Sequence, residues 1–261
     1  MIRALVLIMG FCLLNLGTAQ ADVIELNERN TVVVRGPIDE VSVAQVQVEL
    51  LRKAAPGKRI YLVLDTPGGS VNAGNMLIET AQALPGRVDT VTIFAASMGF
   101  HIAQNLGERL IIENGTLMSH RAYAGLEGQV PGELVTRLAA LIQSLVRMDR
   151  TAAKRMGMDV QAYRALIHDE YWTDGIGAVT DHAADRIVKV RCGSDLTGTT
   201  EQEFMTMFGP VLVTFSKCPL VTGPLKVNFG GEAKYKDAAI QHITEMLTDK
   251  PSYVRKTNKR K

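Results

Sequence analysis

A chain of 261 residues has room for one large α/β domain with a small addition. At 46% hydrophobic and 21% charged residues it is neither a disordered segment nor a collagen. With aromatics at 5%, stacking on single-stranded bases is a poor fit, and no nucleic-acid partner is expected. The net charge of +2 selects no partner either: six basic residues sit within 250–261, and the remainder is mildly acidic.

The first 21 residues read as a secretory signal. Arg3 gives a positive start, and an apolar run from Ala4 to Leu16 follows. Ala19 and Ala21 form the small-x-small pattern of a cleavage site, leaving Asp22 as the new N-terminus. A spanning helix needs about 20 apolar residues and this run is shorter; an uncleaved anchor is the alternative. The expectation is export to the periplasm or beyond the cell. Cys12 leaves with the leader, so Cys192 and Cys218 remain. In an oxidising compartment they read as a disulfide worth about 3 kcal/mol through the unfolded state, with two buried thiols as the alternative.

Residues 22–190 alternate apolar, β-rich runs with helical spacing. A short strand is expected at Thr31–Arg35 and a helix at Val41–Ala54, with Val43, Val46, Leu50 and Leu51 on one face. A buried strand follows at Arg59–Asp65, a helix at Ala73–Leu84, a strand at Thr90–Ala95 and a helix from Phe100 to Leu106. The strands Arg109–Glu113 and Thr116–Ser119 are separated by the turn dipeptide Asn114-Gly115. Gly132–Met156 is a long amphipathic helix with Leu134, Leu138, Leu141, Leu145 and Met148 on one stripe. This order implies βαβ units around a parallel sheet. After Val190 the glycines, prolines and both cysteines suggest an α+β appendage over 191–249, with a helix at Ala233–Leu247 and a basic tail at 250–261. The solvated tail has an alternative use as an anchor for anionic lipid or a polyanion.

Three segments carry chemistry. Asp65-Thr66-Pro67-Gly68-Gly69-Ser70-Val71 lies between a strand and a helix, where paired glycines can aim N–H groups at a phosphate or a developing oxyanion. A plain tight turn is the other reading. Ala95-Ala96-Ser97-Met98-Gly99 again joins strand to helix, so Ser97 is either an exposed nucleophile or a helix N-cap. His120, 23 residues further on at a strand end, is either a general base or a structural histidine.

Taken together, in this order, the three segments resemble the Clp protease proteolytic subunit and its signal-peptide-peptidase relatives. The resemblance runs through Ala122–Val130 and the long helix to Glu170-Tyr171-Trp172-Thr173 and Asp185-Arg186-Ile187, about residues 24–190. It implies a ClpP/crotonase-like α/β fold with parallel-rich sheets and a long handle helix. It further implies Ser97 as nucleophile, His120 as base, and the Gly69 and Met98 N–H groups as the oxyanion hole. The family's acid position falls on Leu166 in this reading, with Asp169 the nearest carboxylate for His120, then Glu170 and Asp174. The site then works as Ser–His–Asp169 or as a dyad of reduced strength. The implied activity is a serine endopeptidase acting on peptides or unfolded proteins, with no cofactor or metal and a homo-oligomeric assembly through the helix at 132–156. In an exported compartment no ATPase partner is expected. The alternatives are a catalytically impaired scaffold, a Ser–Lys enzyme using Lys154, and an acyl-CoA-processing enzyme of the same broad fold.

Overall fold

The computed structural model describes residues 22–248; the expected leader and basic tail lie outside them. The strands are β1 (Val23–Leu26), β2 (Thr31–Arg35), β3 (Arg59–Thr66), β4 (Arg87–Ala96), β5 (Arg109–Ser119), β6 (Tyr171–Asp174), β7 (Arg186–Ile187), β8 (Lys189–Cys192), β9 (Thr199–Thr206), β10 (Gly209–Ser216) and β11 (Lys226–Phe229). The α-helices are α1 (Glu40–Lys53), α2 (Val71–Ala83), α3 (Met98–Asn105), α4 (Gly132–Arg155), α5 (Val160–Leu166), α6 (Gly175–Thr180) and α7 (Lys236–Thr248).

The central sheet runs β2-β3-β4-β5-β6, with β2 to β5 parallel, β6 antiparallel to β5, and β7 also beside β5. Its strands alternate faces with period two. Ile60, Leu62 and Leu64 pack with Val43, Val46 and Leu50 of α1 and Leu77 of α2. Val63, Val91 and Leu110 turn the other way, onto Ile24 and Leu26 of β1 and Val188. β1 and β8 form a separate parallel pair that covers this second face. The helices start where the sequence supplies caps: Asp39 and Ser42 make a reciprocal capping box at α1, and Ser70 accepts from the Ala73 N–H at α2.

β5 is one strand, not the two separated by Asn114-Gly115. Thr92 pairs Ile111 and Phe94 pairs Thr116, so the dipeptide sits in an irregularity that keeps the strand going. α4 follows its expected boundaries, but only Met148, Ala152 and Ala153 are buried. Val135, Leu138 and Ile142 of its N-terminal half are exposed.

The C-terminal part is the antiparallel sheet β9-β10-β11 with α7 laid across it. Phe204, Val211, Val213 and Phe215 of the sheet and Ala239 and Ile243 of the helix form a core of its own. Cys192 and Cys218 are joined by a disulfide, tying the end of β8 to the residues after β10.

Candidate active site

β4 ends at Ala96, opposite Met118 of β5, and the Ser97 N–H donates to the Met118 carbonyl at 2.9 Å. The chain turns sharply there: Ser97 has φ 54° and ψ −116°, left-handed backbone that a side chain rarely adopts. The turn lifts the side chain off the end of the sheet. Ser97 precedes α3, yet its hydroxyl makes no capping bond and is left for other work. It reaches His120 instead. His120 lies two residues past Met118, and its Nε2 is 2.8 Å from Ser97 Oγ. With Nε2 unprotonated, the hydroxyl donates to it, the arrangement a general base requires. Adjacent strand ends are enough to bring the two together.

The glycine loop after β3 packs against this elbow. A Cβ at Gly68 would lie 2.7 Å from both the Ala96 carbonyl and Ser97 Cβ and 2.9 Å from the Met98 nitrogen, and Gly68 has φ +95°. At Gly69 (φ +148°) a Cβ would lie 2.2 Å from the Ile38 carbonyl oxygen. Backbone bonds pin the loop, Ile38 N–H to Gly68 O at 2.8 Å and Ser70 N–H to Ile38 O at 2.7 Å. The N–H groups of Gly69 and Met98 donate to no other acceptor among the described residues. Met98 is the first residue of α3, where an amide has no intrahelical partner and sits at the positive end of the dipole.

The acid side differs from the expectation. Asp169 is not brought to His120: its carboxylate is 94% exposed and hydrogen-bonded to His168 Nδ1 at 2.8 Å. Leu166 ends α5 and packs on the core. β5 and β6 pair antiparallel as far as Ser119 opposite Tyr171; His120 is the residue after that last pair on β5 and Glu170 the residue before it on β6. Glu170 has φ 67°, and its carboxylate accepts from Trp172 Nε1 at 3.0 Å. Asp174 caps α6 through the Gly177 N–H. Among the described residues no carboxylate hydrogen-bonds His120 Nδ1. Lys154 is exposed in the last turn of α4 and has no hydrogen bond to Ser97.

Two buried groups beneath the site escaped the sequence reading. His101 lies one helical turn after Ser97, and burial, with His120 nearby, lowers its pKa to about 4; it is a neutral imidazole with Nδ1 unpartnered. The i, i+4 spacing from Ser97 was the signal available for it. Ser119, beside His120, shares a 2.7 Å hydrogen bond with the buried Tyr163 hydroxyl, whose pKa is pushed up by that burial. Lower in the sheet, Asp185 accepts from the Arg109 N–H at 2.8 Å and from its Nε at 3.1 Å. Burial raises the Asp185 pKa, but these bonds outweigh it and hold the carboxyl below its ordinary range.

An open, mainly parallel sheet bearing a strained serine elbow, a histidine within hydrogen-bond reach and a glycine loop against the elbow is the layout of a serine hydrolase. Comparison with known proteins narrows this. The family model described as Clp protease matches residues 17–191, and the chain belongs to that family. It is 31% identical over 150 residues to the ATP-dependent Clp protease proteolytic subunit of Streptococcus gordonii, covering 54% of this chain and 75% of that one. It is 26% identical over 168 residues to the ATP-dependent Clp protease proteolytic subunit 1 of Streptomyces coelicolor, covering 63% of this chain and 76% of the relative. The ClpP-like fold is thereby established. Residues 192–261, which include β9 to β11 and α7, lie beyond the matched segment.

Proposed function

We propose that this chain is an exported serine endopeptidase that cleaves peptides or already unfolded polypeptides. The observation that carries the reading is the 2.8 Å approach of His120 Nε2 to the Ser97 hydroxyl at a strained elbow, against a glycine loop. Ser97 Oγ attacks the substrate carbonyl carbon as His120 takes the hydroxyl proton. The carbonyl oxygen gains the negative charge and accepts hydrogen bonds from the Gly69 and Met98 N–H groups. His120 then gives its proton to the leaving amine, the C–N bond breaks, and an acyl-serine remains. Water, deprotonated by His120, attacks that ester, and the proton returns to Ser97.

Glu170, not Asp169, is the carboxylate we assign to His120. Supporting this, Glu170 directly precedes Tyr171 and His120 directly follows Ser119, the last pair of the β5–β6 ladder, while the Asp169 carboxylate turns to His168 and that of Glu170 to the Trp172 indole. The exposed apolar residues Val135, Leu138 and Ile142 on α4, with Tyr123 and Val130 on the preceding segment, form the surface proposed to pack a second copy of the chain. Export rests on the leader at 1–21 and agrees with the Cys192–Cys218 disulfide. In that compartment no ATP-driven partner is part of the reading.

The test is hydrolysis of an unfolded, fluorophore-quenched protein by the chain starting at Asp22, without nucleotide. Cleavage that disappears in Ser97→Ala supports the reading. A folded, oligomeric protein with no turnover favours instead a scaffold that kept the fold, for which the lack of a carboxylate hydrogen bond to His120 Nδ1 among the described residues is the argument.

A further inference from the structure

Residues outside the matched segment touch the end of β2, the strand that flanks the oxyanion loop. Arg35 ends β2 and pairs in register with Asp65, the first residue of the segment that becomes Thr66-Pro67-Gly68-Gly69. The two side chains are almost fully buried, with Arg35 Nε 3.9 Å from Asp65 Oδ2. The other side of the guanidinium faces the C-terminal sheet. Arg35 Cζ lies 4.6 Å from the centre of the Phe215 ring, and its Nη2 donates to the carbonyls of Pro219 at 3.4 Å and Val221 at 3.5 Å. One buried cation therefore bridges the end of β3 and the β10 region.

The backbone next to Arg35 makes the same connection. The Gly36 N–H donates to Asp65 O at 3.0 Å, and Ile38 holds the glycine loop through its own N–H and carbonyl. Gly36 in turn lies under the appendage: a Cβ there would sit 3.2 Å from the Leu247 side chain and 3.3 Å from Phe204. Leu196 of the appendage packs with Ile24 and Leu26 of β1, and a cleft of about 760 Å³ lies between β2, α1 and the β9–β10 pair. The disulfide Cys192–Cys218 and the Lys217–Glu28 ion pair at 2.8 Å close its far end.

We propose that the appendage of residues 194–248 is a buttress for the oxyanion loop, and that Arg35 is the positioning residue through which it acts. The inference rests on the peptidase reading for the role of Gly69, though the mechanical connection itself does not. Removing the guanidinium takes a buried cation from beside Asp65 and frees β10 from the end of β2. Opening the disulfide frees the same region from β8. Both changes loosen Thr66–Gly69 and misplace the Gly69 N–H, lowering turnover more than substrate affinity, because this donor acts mainly in the transition state.

The experiment compares the full chain in oxidised and thiol-reduced form, Arg35→Met, and Phe215→Leu as a milder variant that keeps the cation. Amide hydrogen exchange is read over 62–72 and over 109–118, alongside kcat and KM for a peptide substrate. Glu201→Gln, an exposed change on β9, serves as the control. The expected result is exchange about tenfold faster over 62–72 in Arg35→Met and in the reduced protein, smaller in Phe215→Leu, and unchanged over 109–118. It is accompanied by kcat about tenfold lower with KM within about twofold. Unchanged exchange over 62–72, or an equal rise in both segments, overturns the proposal. Should Arg35→Met fail to fold, the reduced protein and Phe215→Leu decide it. A chain without turnover would sink the peptidase reading, while the exchange data would still judge the buttress.

Discussion

Ser97 and the carboxylates of residues 169–174 reach the same end of the sheet from regions held in opposite ways. The serine sits between two buried parallel strands, with a glycine loop packed on one side and α3 on the other, so its unfavourable backbone is enforced by everything around it. The segment 167–170 is a single 3₁₀ turn leading into an antiparallel edge strand, and Asp169 and Glu170 are exposed. Backbone strain at Glu170 equals that at Ser97 in kind, but among the described residues its side chain is held by the Trp172 indole. The Ser97 elbow is over-determined by packing. Glu170, the proposed acid, follows only a single 3₁₀ turn, so its contribution should be the smaller one.

Variants from the two regions should therefore rank in a fixed order. Ser97→Ala removes the attacking atom, and peptide hydrolysis should fall at least about a thousandfold. Gly68→Ala drives a methyl into the Ala96 carbonyl and Ser97, so kcat should drop about a hundredfold while the bulk of the sheet survives, as read by circular dichroism beside turnover. Glu170→Gln should lower kcat about tenfold, and Asp169→Asn less than about twofold. Equal losses in these two variants, or a larger one for Asp169, would break the comparison by returning the acid's role to Asp169. The smallest effect concerns stability. His101 titrates near pH 4 in the folded chain against an ordinary value of 6.5, so the unfolded chain takes up more protons between those values. Stability should be full above pH 6.5 and fall by roughly 1 kcal/mol per pH unit as pH drops toward 4. His101→Leu should flatten that slope in denaturant midpoints taken at pH 7 and pH 5.

The parts of the molecule readable from its sequence are those governed by neighbours in the chain. β2 was expected at its observed bounds, and α1 and α2 within two residues, because their apolar spacing and caps are local. β1 and β8 were missed, since four-residue strands carry little pattern and their partners lie more than 160 residues apart. Asn114-Gly115 signalled a turn, but pairing with β4 on both sides kept β5 continuous through a bulge. At the site, the structure brings Ser97, His120 and the glycine pair together, and the sequence pointed to each because each follows a strand end. Asp169 and Glu170 are adjacent in sequence and chemically alike. What separates them is the positive φ at 170 and the register of β6, and neither is written in local composition. Arg35 looked like the plain end of a strand, because its partners Phe215, Pro219 and Val221 come from about 180 residues away.

The central claim is that His120 activates Ser97 as a nucleophile. Its most direct test is reaction of the chain starting at Asp22 with a fluorophosphonate probe, followed by mass spectrometry of the labelled peptide, beside Ser97→Ala and His120→Ala. The account predicts a single adduct on Ser97 in the parent protein, none in Ser97→Ala and almost none in His120→Ala. Labelling of His120→Ala at the parent rate, or no labelling of a folded parent, would contradict it.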